Sequence, residues 1–263
     1  MATPLRIVVL VKHVPDVSGD RSFAADHTTV RADVDGGLSE LDEYAVEQAL
    51  KVVEGGADGV VTYLTMGPAK ARDALRKALS MGGDGAVHVL DDALHGSDAS
   101  ATSLVLAAAI ERAGFDLVLC GMASTDAGMS VVPAMLAERL GVAQATFAGQ
   151  LSVAEGAVRI RRDSDTATEE VEAALPAVAA VTDQTGEPRY PSFKGIMAAK
   201  KKAVQTWSLA DLGIEPDRVG LAGASTAVDT VTRRPPRQAG TVVPDDGDGA
   251  EKLVDFLATH RFV

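Results

Sequence analysis

LRIVVLV, residues Leu5–Val11, is an apolar, β-branched run broken only by Arg6. A run of this kind fits a strand buried on both faces of a parallel sheet, because a half-exposed strand would alternate apolar and polar residues. Similar runs recur at Val60–Thr65 (VVTYLT), Gly85–Leu90 (GAVHVL) and Leu117–Cys120 (LVLC). Each follows a segment patterned as a helix, at Asp42–Glu54, Ala69–Met81 and Ala99–Ala113, rich in Ala, Leu and Glu. Strands alternating with helices of this length imply right-handed crossovers, hence a doubly wound α/β fold of Rossmann-like type with a mostly parallel sheet.

The pattern changes beyond Leu151. Leu151–Val153, Ala157–Arg162 and Thr168–Ala173 read as short strands separated by Gly156 and an Asp/Ser/Thr turn, an antiparallel addition to the sheet. Leu175–Val181 (LPAVAAV) returns to a buried strand, with Pro176 at its start or on an edge. After Trp207 come Pro216, Gly220, Gly223, Pro235, Pro236 and Gly240 with little periodicity, then a short amphipathic helix at Ala250–His260. A tail without a core of its own is expected to lie on something, a partner subunit or its own domain. The expected organisation is an α/β nucleotide-binding domain over 1–186, a distinct segment over 187–202 and an extended C-terminal arm over 203–263.

With 263 residues the chain can bury a core without covalent staples, and its single cysteine, Cys120, excludes an intrachain disulfide and a Cys-rich metal site. No secretory leader or membrane-length apolar run is read, so the expectation is a cytoplasmic protein without membrane insertion. A formal net charge of −12 argues against nucleic-acid binding, which needs a basic surface.

Ligands of an open α/β sheet bind outside the carboxyl ends of its strands. The richest such end is Cys120–Pro133 (CGMASTDAGMSVVP), where Gly121 and Gly128 permit close backbone approach, Ser124, Thr125 and Ser130 supply hydroxyls, and a following helix offers free N–H groups to an anion. An ordinary strand-to-helix loop has the same composition, so the loop alone does not decide. Thr65–Pro68 after the second strand would face the same crevice. Val11–Asp16 (VKHVPD) stands where a Gly-x-Gly-x-x-Gly fingerprint would be. The five histidines lack metal-ligand spacing and no nucleophile elbow occurs, which suggests binding and transfer instead of bond-making.

Glu187–Lys202 (EPRYPSFKGIMAAKKK) remains. Pro188 and Pro191 make its first half extended or looped and put Phe193 near a loop tip, where it is covered either by the protein's own core or by a partner.

These segments together resemble the beta subunit of the electron-transfer flavoproteins, the FixA-like family. The resemblance rests on Val11–Asp16, Asp42–Ala49 (DEYAVEQA), Met66–Pro68 (MGP), Lys77–Gly82 (KALSMG), Gly121–Asp126 (GMASTD), Leu175–Val178 (LPAV) and the 187–202 segment, in order along nearly the whole chain. It implies an adenine nucleotide hydrolase-like fold and a non-catalytic subunit paired with an alpha subunit that holds most of the FAD. The heterodimer would carry electrons from acyl-CoA-type dehydrogenases to a membrane quinone oxidoreductase or another acceptor. It further implies a structural AMP held here by Leu10, Val11, Ser39, Glu40, Leu41, Asp42 and Met66, and by the loop Gly121, Met122, Ala123, Ser124, Thr125, Asp126, Ala127, Gly128, Met129, Ser130, Val131 and Val132. Ser39, Ala123, Gly128 and Val131 depart from the residues common in the family. The 187–202 segment resembles the family's recognition loop, with Phe193 as the anchor that enters a pocket on the dehydrogenase, Tyr190, Ile196 and Met197 beside it, and Lys200, Lys201 and Lys202 steering an acidic partner. Two other readings share the fold: a bifurcating relative in which a second FAD replaces AMP and oxidises NADH, and an adenine-nucleotide sensor or ligase without a flavin partner.

Overall fold

The computed structural model describes residues 4–263 except 20, 32, 33, 238 and 241. The elements run β1 (Leu5–Leu10), β2 (His13–Pro15), β3 (Gly36–Leu38), α1 (Glu40–Glu54), β4 (Gly59–Met66), α2 (Arg72–Met81), β5 (Gly85–Val89), α3 (Ala99–Ala113), β6 (Leu117–Gly121) and α4 (Val132–Leu140). They continue as β7 (Ala143–Ala148), β8 (Gln150–Ala154), β9 (Ala157–Asp163), β10 (Thr168–Ala174), β11 (Ala177–Val181), α5 (Phe193–Ala199), β12 (Val204–Trp207), α6 (Gly220–Gly223) and α7 (Gly249–Thr259).

Seven strands form one sheet in the order β12-β5-β4-β1-β6-β11-β7, and every pairing in it is parallel. The reason for the unbroken apolar runs is visible in β1. Ile7 and Val9 enter the core with Ala45, Val46, Ala49 and Leu50 of α1 and Leu75, Ala78 and Leu79 of α2. Val8 and Leu10 enter the opposite core with Val105, Ala109 and Ile110 of α3 and Leu136 and Ala137 of α4. A strand with helices on both faces has no polar side to spare. The sheet is thus doubly wound. β8–β10 form a separate three-stranded antiparallel sheet whose Val158, Ile160 and Ala173 join the α1/α2 core.

The chain forms two units, Met1–Asp229 and Thr230–Val263. The arm expected from residue 203 therefore begins later as a unit of its own. β12 is an edge strand of the main sheet, and Leu209, Ile214 and Val219 are buried in the α3/α4 core. These three residues recur at neither helix nor strand spacing, which is why the stretch reads as coreless in the sequence. In the second unit α7 is the one helix among the described residues, and none of those residues is buried. No helix among the described residues is long and apolar enough to cross a membrane.

Candidate functional site: a strand-end crevice and a pinned aromatic segment

Chain order reverses between β1 and β6, since β4 and β5 lie on one side of β1 and β6 on the other. The crevice outside these two strand ends is where an open α/β sheet takes its ligand. Ser39, fully buried, precedes α1, and its hydroxyl accepts from the Thr125 N–H at 3.2 Å. Asp42, in the first turn of α1, accepts from the Lys12 N–H at 2.8 Å. Its carboxyl thereby links the helix start to the chain leaving β1 and lies against Gly121 at the end of β6. A Cβ on Gly121 would lie 2.6 Å from Asp42 Oδ1 and 2.7 Å from the Leu41 carbonyl oxygen, so only glycine lets α1 approach this closely.

Burial pushes the Asp42 carboxyl up to about 7; the Lys12 N–H, the Lys12 charge and the Gly121 N–H oppose the shift, and Asp126 adds to it. An unfolded aspartate ionises near 3.8, so the folded chain retains a proton that the unfolded chain has lost between that pH and about 7. Its contribution to stability is complete below pH 3.8 and is lost as pH rises through about 7, an effect on the order of 4 kcal/mol. The unfolding midpoint of the protein is expected to fall across this window, and Asp42→Asn is expected to flatten the slope in a pH series of thermal melts. An unaltered slope in the variant would assign the dependence to another group.

Basic side chains from the end of β1 and the β2–β3 connection face the loop after β6. Lys12 Nζ lies 2.9 Å from Asp126 and 3.2 Å from the Ser124 hydroxyl, Arg31 pairs with the other Asp126 oxygen, and Arg21 donates to the Thr125 carbonyl at 3.0 Å. Burial raises the Asp126 carboxyl, but the charges of Lys12 and Arg31 and the hydrogen bonds from Ser124 and Lys12 outweigh it and hold the group well below the usual carboxylate range. Gly128 and Ser130 both have positive φ, 61° and 56°, and Ser130 is followed by right-handed Val131. A left-handed residue followed by a right-handed one is the backbone alternation that forms anion-binding concavities. The Thr125 hydroxyl is buried without a partner among the described residues. Three cations, a hydroxyl awaiting a partner and an anion-type loop suit a phosphate group.

The structure brings Leu10, Val11, Ser39, Asp42, Gly121, Ser124, Thr125 and Asp126 to this one crevice, with Met66 at the end of the neighbouring β4. Glu40, Ala127, Gly128, Met129 and Val131 are exposed on its rim. Lys12, Arg21 and Arg31 were not among the expected site residues. Lys12 directly follows Leu10 and Val11 and was accessible to strand-end reasoning. Arg21 and Arg31 lie in the long connection between β2 and β3, which has no periodicity to signal a site.

The 187–202 segment is fastened at both ends. Arg189 pairs with Glu47 and Glu54 of α1. Ser192 caps α5 by accepting from the Gly195 N–H at 3.0 Å, so Phe193 opens a short helix instead of a loop tip. Tyr190 is 93% exposed and Phe193 80%, with Ile196 and Met197 also exposed. Phe193 therefore does not cover the protein's own core. Lys200 and Lys201 are exposed, whereas half-buried Lys202 donates to the carbonyls of Leu79 at 3.2 Å and Gly82 at 3.1 Å, closing the C-terminal end of α2. Among the three lysines, Lys202 has a structural task. Lys202→Met is expected to lower the melting temperature, through a loss of about 1–2 kcal/mol, without changing the salt dependence of association. Neutralising Lys200 and Lys201 is expected to do the reverse, which stopped-flow mixing over a salt series distinguishes from the melt.

Residues 26–212 match the electron transfer flavoprotein domain. The chain is 45% identical over 263 residues to the electron transfer flavoprotein subunit beta of Mycobacterium leprae (strain TN), covering 98% of this chain and 99% of that one. The chain belongs to the electron transfer flavoprotein beta-subunit family. It is also 32% identical to the electron transfer flavoprotein subunit beta of Megasphaera elsdenii, over 95% of this chain and 96% of that one. The caffeyl-CoA reductase-Etf complex subunit CarD of Acetobacterium woodii is 32% identical over 85% of this chain and 86% of its own. Membership implies a flavin in a heterodimer with an alpha subunit, and a part in electron transfer.

Proposed function

We propose that this beta subunit, paired with its alpha subunit, carries electrons from acyl-CoA-type dehydrogenases to a quinone oxidoreductase or another acceptor. On this reading the crevice holds a structural AMP and the 187–202 segment docks the dehydrogenase. The observation that carries the docking role is an exposed aromatic pair, Tyr190 and Phe193, on a segment fixed at both ends. Exposed aromatics on a rigid base are expensive for solubility and are the residue type that dominates interface energy once a pocket covers them.

The residues at the crevice fit AMP. Lys12, Arg21, Arg31 and the backbone of Thr125–Ser130 would hold the phosphate, and the ends of β1 and β4 at Leu10, Val11 and Met66 would face the base. The nucleotide would neutralise a cationic cluster and fasten the β6 loop to the β2–β3 connection. It supplies no electron chemistry, so its task there is structural.

The test is co-expression with a flavin-binding alpha subunit of the same organism, followed by mixing with an acyl-CoA dehydrogenase and its acyl-CoA. Bleaching of the heterodimer's flavin that depends on the dehydrogenase supports the reading. A flavin heterodimer that no acyl-CoA dehydrogenase reduces would remove the proposed electron source.

A further inference from the structure

We infer that Arg189 is the positioning residue of the docking segment, holding Tyr190 and Phe193 in their presented geometry by clamping the chain to two carboxylates of α1. The inference rests on the docking reading above.

The Arg189 guanidinium donates through Nε to Glu47 Oε2 at 2.7 Å, through NH2 to Glu47 Oε1 at 3.1 Å and to Glu54 Oε2 at 2.8 Å, and through NH1 to Glu54 Oε1 at 2.5 Å. Its backbone N–H donates to Glu47 Oε2 as well, at 3.1 Å. Glu47 and Glu54 are seven residues apart, two turns along one face of α1. A planar fork that engages both carboxylates fixes the chain along the helix and around it, which a lysine, with a single point charge, does not do. Upstream, Gln48 Nε2 donates to the Thr185 carbonyl at 2.9 Å, so 185–189 runs bonded along α1.

The second fastening holds α5 instead. A Cβ on Gly195 would come 2.3 Å from the Ser80 carbonyl oxygen, so the helix lies against the end of α2, and Arg76 donates to the Ala199 carbonyl at 3.3 Å. Between the two fastenings lie Tyr190, Pro191, Ser192 and Phe193. Pro188 and Pro191 restrict the backbone on either side of the clamp. Arg189 is thus the last fixed point before the exposed aromatics, although it does not present its own side chain to solvent as they do. A pinned segment meets its partner without the entropy loss of ordering, which makes Arg189 a determinant of docking affinity and not of electron transfer within the bound complex.

Arg189→Ala would leave Glu47, whose side chain is 6% exposed, as a buried charge whose remaining cation among the described residues is Lys51 at 3.8 Å, so loss of folding would confound it. Arg189→Lys keeps a cation beside Glu47 and removes the fork. Glu54→Ala removes an exposed carboxylate and leaves the Glu47 pair. Both are measured in the flavin heterodimer as electron acceptor for an acyl-CoA dehydrogenase that reduces the wild-type complex. Each is expected to raise KM for the heterodimer about three- to tenfold, with kcat and flavin content unchanged. On a Phe193→Ala background neither is expected to raise KM further, because a misplaced anchor and a missing anchor lose the same contact. Unchanged KM in both variants on the wild-type background, or an equal rise on the Phe193→Ala background, overturns the positioning role while the docking reading stands. Unchanged KM in Phe193→Ala itself removes the docking reading, and this inference with it.

Discussion

Phe193→Ala is expected to raise the KM of the heterodimer for its donor dehydrogenase about thirtyfold, a loss of ~2 kcal/mol in docking, with no change in melting temperature. The two effects separate because Phe193 is 80% exposed. Truncating a buried Phe costs about 3–5 kcal/mol, whereas an exposed one leaves no cavity and shifts folding by less than about 0.5 kcal/mol. Steady-state titration of the heterodimer against the dehydrogenase, together with a thermal melt, measures both. A variant that melts early yet accepts electrons with unchanged KM would make the segment structural.

Gly121→Val is expected to have the largest effect on folding. Its Cβ would enter the space of Asp42 Oδ1 and the Leu41 carbonyl oxygen, neither of which is the free end of a flexible side chain. The start of α1 must move off the ends of β1 and β6, breaking the buried hydrogen bond from the Lys12 N–H to Asp42. Overpacking and the unpaired buried group together cost about 3 kcal/mol, roughly 10 °C in melting temperature for a chain of this size. Nucleotide retention should fall with it, because Ser39 and Thr125 are displaced by the same movement. Ser124→Leu serves as the comparison. It adds bulk beside Lys12 and Asp126 without entering the α1 junction, so nucleotide content should fall with a smaller drop in melting temperature. Wild-type stability in Gly121→Val would show that the junction has slack.

The fold was legible where burial on both sheet faces forces an apolar run, as in β1, β4 and β6, and where a helix carries a full periodic stripe, as in α3, which spans Ala99–Ala113 as expected. Other elements carry little local signal. β7, AQATFA, lacks β-branched enrichment because it is an edge strand, and β12 is four residues whose strand character comes from pairing with β5. Leu209, Ile214 and Val219 bury irregular chain, which no period reveals. At the crevice, strand-end reasoning reached the β6 loop from topology alone, whereas Ser39 and Asp42 came from the family resemblance. Arg21 and Arg31 escaped it because their contacts with Thr125 and Asp126 span 104 and 95 residues of sequence. Lys202 looked like one of three equivalent surface charges, and its two carbonyl partners distinguish it only in three dimensions.

The central claim is a beta subunit that binds AMP structurally beside a single redox flavin. Its most direct test is denaturation of the co-purified heterodimer and chromatographic quantification of the released nucleotides. The account predicts one FAD and one AMP per heterodimer, with the AMP lost and the FAD retained when Lys12 and Arg31 are replaced by Met. Two FAD and no AMP would contradict it in favour of a second flavin in the crevice, and a complex with no flavin would contradict the electron-carrier assignment itself.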